Sequence, residues 1–263
     1  MWKAIVSFFK PKSKLVKSAS KVVSCADGGM CPINVNPIKA TQKGSDYYPK
    51  AVIYKNKMKT RGGYKEGYPL GAIVHFTAGH FSKGEENARA AIDDGIKNGY
   101  AYLCIGNDGK AVQAHPLKQW GYHAGESAWK GILGAVSDDT VGIEMNCAGK
   151  VEKVGENRFK TWFGTYLTAN EVRYVTQAEY GCPTGYYHKY SAAQEATLIE
   201  ILVWLVTNDP TGKFKIDFIL GHHEVAGMLG IGKWRKNDPG GSLSMTMPQL
   251  RKLVQDKVKA LGV

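Results

Sequence analysis

The chain has 263 residues, is 43% hydrophobic and 22% charged, and carries a formal net charge of +12. That length suits one domain with a well-buried core, with or without a short extra segment. No apolar run approaches the roughly 18 residues of a membrane span, and five cysteines without metal-type spacing exclude a disulfide framework.

The charge is concentrated at the start. Residues 1–60 hold twelve lysines against Asp27 and Asp46, a net of +10, which leaves +2 for everything after them. Residues 1–45, broken by Pro11, Gly28-Gly29, Pro32 and Pro37, read as a basic arm. Such an arm is drawn to anionic membrane or envelope polymers, or serves only to solubilise. Few interleaved aromatics and no nucleic-acid motif argue against nucleic acid as its partner. Its short apolar patch, with Trp2, Ile5, Val6 and Phe9, precedes its charges, so it reads as a poor secretory signal and leaves an interfacial helix open. Cys25 and Cys31 could pair under oxidising conditions, whereas Cys104 and Cys147 lie in apolar runs as small buried hydrophobes.

Residues 46–263 alternate strands and helices. Gly71–Phe76 predicts a buried strand. Ser82 and Glu85 form a capping-box signature for a helix with Ala88, Ala91, Ile92 and Ile96 on one face, stopped at Asn98-Gly99. Tyr100–Ile105 and Lys110–His115 flank Asn107-Asp108-Gly109, a hairpin signal. Thr140–Asn146 and Ile216–Leu220 predict further strands. Thr168 with Glu171, Ser191 with Gln194, and Thr246 with Gln249 predict three more helix starts. The second helix turns Leu198, Ile201, Leu202 and Leu205 inward; the last carries Leu250, Leu253, Val254 and Leu261. The expected fold is α/β, a single mixed sheet flanked by helices, with the hairpin supplying the antiparallel pair.

Three polar residues fall where strands end. His75 lies in an apolar strand, His222 follows Ile216–Gly221, and Asp238 sits in an Asp-Pro-Gly-Gly turn that could hold a carboxylate rigidly. Two imidazoles and a carboxylate make a catalytic zinc set with a fourth position left for water. Singly, each is as easily a satisfied core or loop residue.

The surroundings add a resemblance. Val74-His-Phe-Thr-Ala78, Tyr122-His-Ala-Gly125, Thr140-Val-Gly-Ile-Glu144, Gly221-His-His-Glu-Val225 and Arg235-Lys-Asn-Asp-Pro-Gly240 resemble, in order, five segments of the type 2 N-acetylmuramoyl-L-alanine amidases. The likeness runs from about Gly71 to Gly241, with an insertion at about 150–190. It implies an amidase or peptidoglycan recognition protein-like fold, Zn2+ on His75, His222 and Asp238, and a peptidoglycan (muramyl peptide) substrate. It further implies Glu144 as general base, Lys236 as oxyanion stabiliser, and His123 as a substrate-contacting or supporting residue. Without it, Glu144 reads as a strand-end carboxylate and Lys236 as a solvated loop lysine.

Trp120, Tyr122, Trp129 and Trp234 flank these segments and suit sugar faces or stem-peptide methyls as readily as core packing. Fifteen residues separate His222 from Asp238, more than the family's usual spacing. His223 is the alternative ligand, disfavoured because a one-residue shift reverses the face. His80, His115 and His188 read as surface or loop residues. A binding module of the same fold would lack a third ligand, and Asp238 argues against it. The expected setting is a phage or prophage endolysin, a monomer accumulating in the host cytoplasm and acting on the wall after release, with bacterial wall recycling as the rival.

Overall fold

The computed structural model describes residues 43–54, 57–230, 232 and 235–262. The interfacial-helix expectation at the N-terminus, Cys25, Cys31 and Trp234 fall outside these residues. The principal sheet contains β1 (Val52–Ile53), β2 (Gly71–Phe76), β3 (Leu103–Ile105), β4 (Ala111–Gln113) and β5 (Thr140–Met145). A second sheet follows, built from β6 (Lys150–Gly155), β7 (Arg158–Lys160), β8 (Tyr166–Leu167), β9 (Val172–Val175) and β10 (Gly185–His188). The chain then returns to the first sheet as β11 (Ile219–Gly221).

The first sheet has the order β1-β4-β3-β5-β2-β11. All its pairings are parallel except β3 with β4, the hairpin, so the sheet is mixed as expected. Its turn closes at Gly109, which takes φ +80°. Strand β2 is buried along nearly its whole length, which is why it carries a continuous apolar run instead of an alternating one. Helix α1 (Glu85–Asn98) covers one face, where Ala88 and Ile92 pack with Cys104, Val112 and Tyr102. A short helix α2 (Gln177–Tyr180) precedes α3 (Ala192–Asn208), in which Leu198, Ile201, Leu202 and Leu205 are all buried. The Ser191 capping box forms as expected, Ser191 Oγ accepting from Gln194 N at 3.0 Å. Helix α4 (His222–Ala226) is one short turn and a half, and α5 (Met247–Ala260) packs on α3 with Leu250 and Val254 buried.

Several sequence expectations need correcting. Ser82 does not cap α1. The helix begins after Gly84, whose φ of +52° suits glycine, and Asp108 of the hairpin turn accepts from Glu85 N at 3.3 Å. A tertiary contact thus replaces the local cap. The Thr168–Glu171 box closes, with Thr168 N donating to Glu171 Oε2 at 2.9 Å, but it seals a single 3-10 turn. The β-branched and aromatic run Val172–Val175 then continues as strand β9, paired with β10. Residues Ile216–Phe218 likewise form a 3-10 turn, leaving Ile219–Gly221 as the strand. Leu261 lies beyond α5 and is exposed.

The region expected to be an insertion is therefore a five-stranded antiparallel sheet, ordered β8-β7-β6-β10-β9. It buries Val151, Phe159, Leu167 and Val172 around Phe81 and Phe163. It also buttresses the loop after Asp238. Arg173 donates to the carbonyls of Gly241 and Leu243 at 2.7 Å each, and Tyr187 lies so close that a Cβ on Gly240 would come within 2.6 Å of its ring.

His115 and His188 are buried, not surface residues. His188 Nδ1 accepts from Ala148 N at 3.2 Å and its ring lies against Phe81. Burial holds both imidazoles down at about 4. Cys104, Cys147 and Cys182 are free and buried, as the apolar runs predicted for the first two.

Candidate metal centre

Strand register builds the site. β2 pairs with β5 so that His75 sits directly opposite Glu144, and β11 pairs with β2 so that Gly221 lies opposite Val74. The next residue, His222, opens α4 beside His75. Glu224 steadies that turn: its Oε2 accepts from Gly221 N at 2.9 Å and is itself held by Arg251.

Asp238 closes the triad. His223 N and Nδ1–H both donate to the Asp238 carbonyl, at 3.0 and 2.9 Å. The adjacent histidines thus divide their tasks. His223 grips the backbone of Asp238, and His222 faces its carboxylate. Nδ1 of His75, Nδ1 of His222 and Oδ2 of Asp238 form a triangle with sides of 2.9, 3.1 and 3.0 Å.

The hydrogen-bond network fixes what those atoms can do. A carbonyl only accepts, so His222 Nε2–H donates to Ala124 O at 2.9 Å and leaves His222 Nδ1 with a lone pair. His123 Nε2–H donates to Thr140 O at 3.0 Å, so His123 Nδ1 accepts from His75 Nε2–H at 3.1 Å. Burial first, then the neighbouring imidazole of His75, pushes His123 well below the ordinary histidine range, so it carries one proton only. His75 Nδ1 is then a lone pair too. Three acceptors with no proton between them repel one another, and either a cation or an extra proton on an imidazole must sit among them. The donor set is that of zinc, whose tetrahedral ligands stand about 3.3 Å apart, slightly wider than this triangle. The residues fit the metal.

Burial acts first on His75, lowering it to about 4, with His222 adding to the effect. At Asp238 burial opposes ionisation, but the facing imidazoles outweigh it and hold the carboxyl well below the usual carboxylate range. Glu144 moves the other way. Burial, reinforced by the negative charge of Asp238, raises it to about 8, and its Oε2 is buried without a hydrogen-bond partner. A carboxyl so placed holds a proton at neutral pH while no cation lies beside it. Gly142, two residues before it, must lack a side chain: a Cβ there would stand 2.7 Å from the His123 ring.

These residues line one cleft of about 910 Å3. His75, His123, Glu144, His222, Lys236 and Asp238 all border it, joined by Asn146, Tyr100 and Trp162. Trp120 and Tyr122 are not among the lining residues; they pack edge-to-face, and Arg61 lies 4.6 Å over the Tyr122 ring. Sequence reasoning missed the supports: the carbonyls of Ala124 and Thr140, Ser137 Oγ accepting from the backbone N of His123 and Ala124, and Tyr190 OH donating to His75 O at 3.0 Å. Most are contacts through backbone atoms, which no side-chain pattern encodes.

A mixed sheet thus presents a buried His-His-Asp triad that could hold a metal ion, with a carboxylate beside it. The chain belongs to the N-acetylmuramoyl-L-alanine amidase family, whose model matches residues 65–241. No curated protein sequence matches it. Among solved structures, it is similar to a selenomethionine derivative of AmpD, with 19% identity, a TM-score of 0.49, and 81% of this chain and 99% of that one covered. It is also similar to the N-acetylmuramyl-L-alanine amidase AmiD from E. coli in complex with anhydro-N-acetylmuramic acid-L-Ala-D-gamma-Glu-L-Lys (18%, TM-score 0.46, 79% and 60% covered). The endolysin LysCS from Clostridium intestinale URNW is a third (14%, TM-score 0.45, 80% and 98% covered).

Proposed function

We propose that the chain is a zinc-dependent N-acetylmuramoyl-L-alanine amidase that cuts the bond between N-acetylmuramic acid and L-alanine in peptidoglycan. The observation that carries this is the triangle of three acceptor atoms on His75, His222 and Asp238, fitted to a divalent cation and lodged in a cleft of a chain from the amidase family.

His75, His222 and Asp238 would hold the zinc, which when bound would supply a Lewis acid for the scissile carbonyl and lower the pKa of water from 15.7 towards about 7. Glu144, ionised, takes the proton of the attacking water and delivers it to the leaving alanine amine; a cation on the facing triad would draw its raised pKa back down and leave it free to do so. Lys236, on the cleft wall two residues before Asp238, places its ammonium against the oxyanion; losing such a donor typically costs about 2.7–4 kcal/mol of transition-state stabilisation. His123 orients His75 from behind.

The setting we propose is a phage or prophage endolysin that accumulates in the cytoplasm and reaches the wall after release. The +10 charge of residues 1–60 supports a role for the arm on anionic envelope polymers or membrane.

The decisive experiment compares wild type with Glu144→Ala. Elemental analysis should find zinc in both proteins, and only the wild type should release stem peptides from purified walls. Undiminished release by the variant removes Glu144 from the mechanism; a zinc-free, inactive wild type removes the whole reading.

A further inference from the structure

Trp162 is the most exposed large apolar side chain among the described residues, with 75% of its surface open. It lies in the turn between β7 and β8, so it is carried by the second sheet, yet it lines the same cleft as the triad. It is not loose. Its indole N–H donates to Ala78 O at 2.5 Å, Phe163 packs edge-to-face against it at 5.4 Å, and Phe163 in turn lies 4.6 Å from His80. Ala78 is three residues beyond His75, which bounds the Cα separation of those two at about 11 Å. An indole with its polar atom already satisfied offers only its faces.

We propose that Trp162 is a substrate-binding residue of this cleft, stacking on a sugar ring of the murein glycan close to the bond that is cut. The proposal rests on the amidase reading for the identity of the ligand and deepens it. A pyranose presents a flat row of C–H groups, and a fixed indole face is its chemical complement. Asn87, Asp94 and Asn146, which also line the cleft, carry amide and carboxylate groups that suit the polar stem peptide better than a sugar face. The second sheet thereby acquires a task at the cleft as well as in supporting the Asp238 loop.

The test separates sugar from peptide and does not need turnover. Binding of peptide-free glycan strands, and separately of the free peptide L-Ala-D-Glu-L-Lys, is measured by calorimetry for wild type, Trp162→Ala and Trp162→Phe. Loss of one stacking contact weakens binding about 3- to 10-fold. Glycan affinity should fall by that factor in the alanine variant and by less in the phenylalanine variant, which keeps an aromatic face without the anchor to Ala78 O, while peptide affinity should not move in either. On whole murein the loss should fall in KM and not in kcat. Equal glycan affinity in all three proteins, or a loss confined to the peptide, overturns the proposal. A wild type that binds glycan but releases no stem peptide would count against the amidase reading while leaving the sugar contact standing.

Discussion

The Nδ1 atoms of His75 and His222 face each other at 2.9 Å, with ring planes crossed at 78°. Each imidazole spends its other nitrogen on a fixed partner, His123 for one and Ala124 O for the other. The fold has used hydrogen bonds to turn two lone pairs inward, an arrangement whose electrostatic cost a bound cation would offset.

Removing that cation should therefore destabilise the protein. Binding at a thousandfold excess over Kd contributes about 4 kcal/mol, which for a domain of this size is about 10 °C in Tm. Thermal melts with a chelator, then with zinc restored, should show the drop and its reversal. Identical melts in both conditions would mean that the triad binds no metal.

His123 borders the cleft and is hydrogen-bonded to His75 Nε2. Its substitution by alanine frees His75 Nε2 and lets the ring turn, and supports of this kind typically contribute about 10- to 100-fold in metal affinity. Competition against a chromophoric chelator should show zinc affinity falling by that factor. If zinc affinity holds while glycan or peptide binding weakens, His123 is a substrate contact instead.

Glu144 should cost the metal-free protein stability at neutral pH. Its pKa is raised in the fold, mainly by burial, from 4.5 to about 8. The sign follows: the carboxyl does no harm below about pH 4.5, and stability is lost as pH rises from there to about 8. Glu144→Gln removes the group whose ionisation favours the unfolded chain, so the chelated variant should be more stable than chelated wild type at pH 7, by about 2–3 kcal/mol after discounting for partial exposure. Denaturant melts at pH 4.5 and pH 7 check this; a gap that does not widen with pH refutes it.

His115 makes the opposite slope. It is buried, its Nδ1 has no partner, and burial lowers it from 6.5 to about 4. The unfolded chain therefore binds the extra proton first. Stability is intact above pH 6.5 and falls between 6.5 and about 4, by about 3 kcal/mol in all. His115→Asn should flatten the pH dependence of unfolding by one proton in that window, even if the variant is less stable throughout. An unchanged slope would show that His115 takes up its proton without cost.

How much of this was legible in the chain depends on what each residue's role requires. The strand Gly71–Phe76, the helix capped by Ser191 and the hairpin at Asn107–Gly109 are written in local pattern, because apolar period, capping geometry and turn chemistry act over a few residues. The set of His75, Glu144, His222, Lys236 and Asp238 could be picked out because their types and surrounding segments matched a known family. What the sequence could not specify was their convergence. Register between β2, β5 and β11 places His75 beside Glu144 and beside the start of α4, and that register is decided by packing across the whole sheet. Ser82 failed as a cap because Asp108, twenty-odd residues on, reached the helix first. Val172–Val175 became a strand because β10 lay beside it. His115 and His188 were drawn inward although nothing near them in the chain marks them as buried. The direction of each imidazole lone pair, and the presence of Trp162 at the cleft, depend on contacts between segments distant in sequence. Such contacts exist only once the chain has folded.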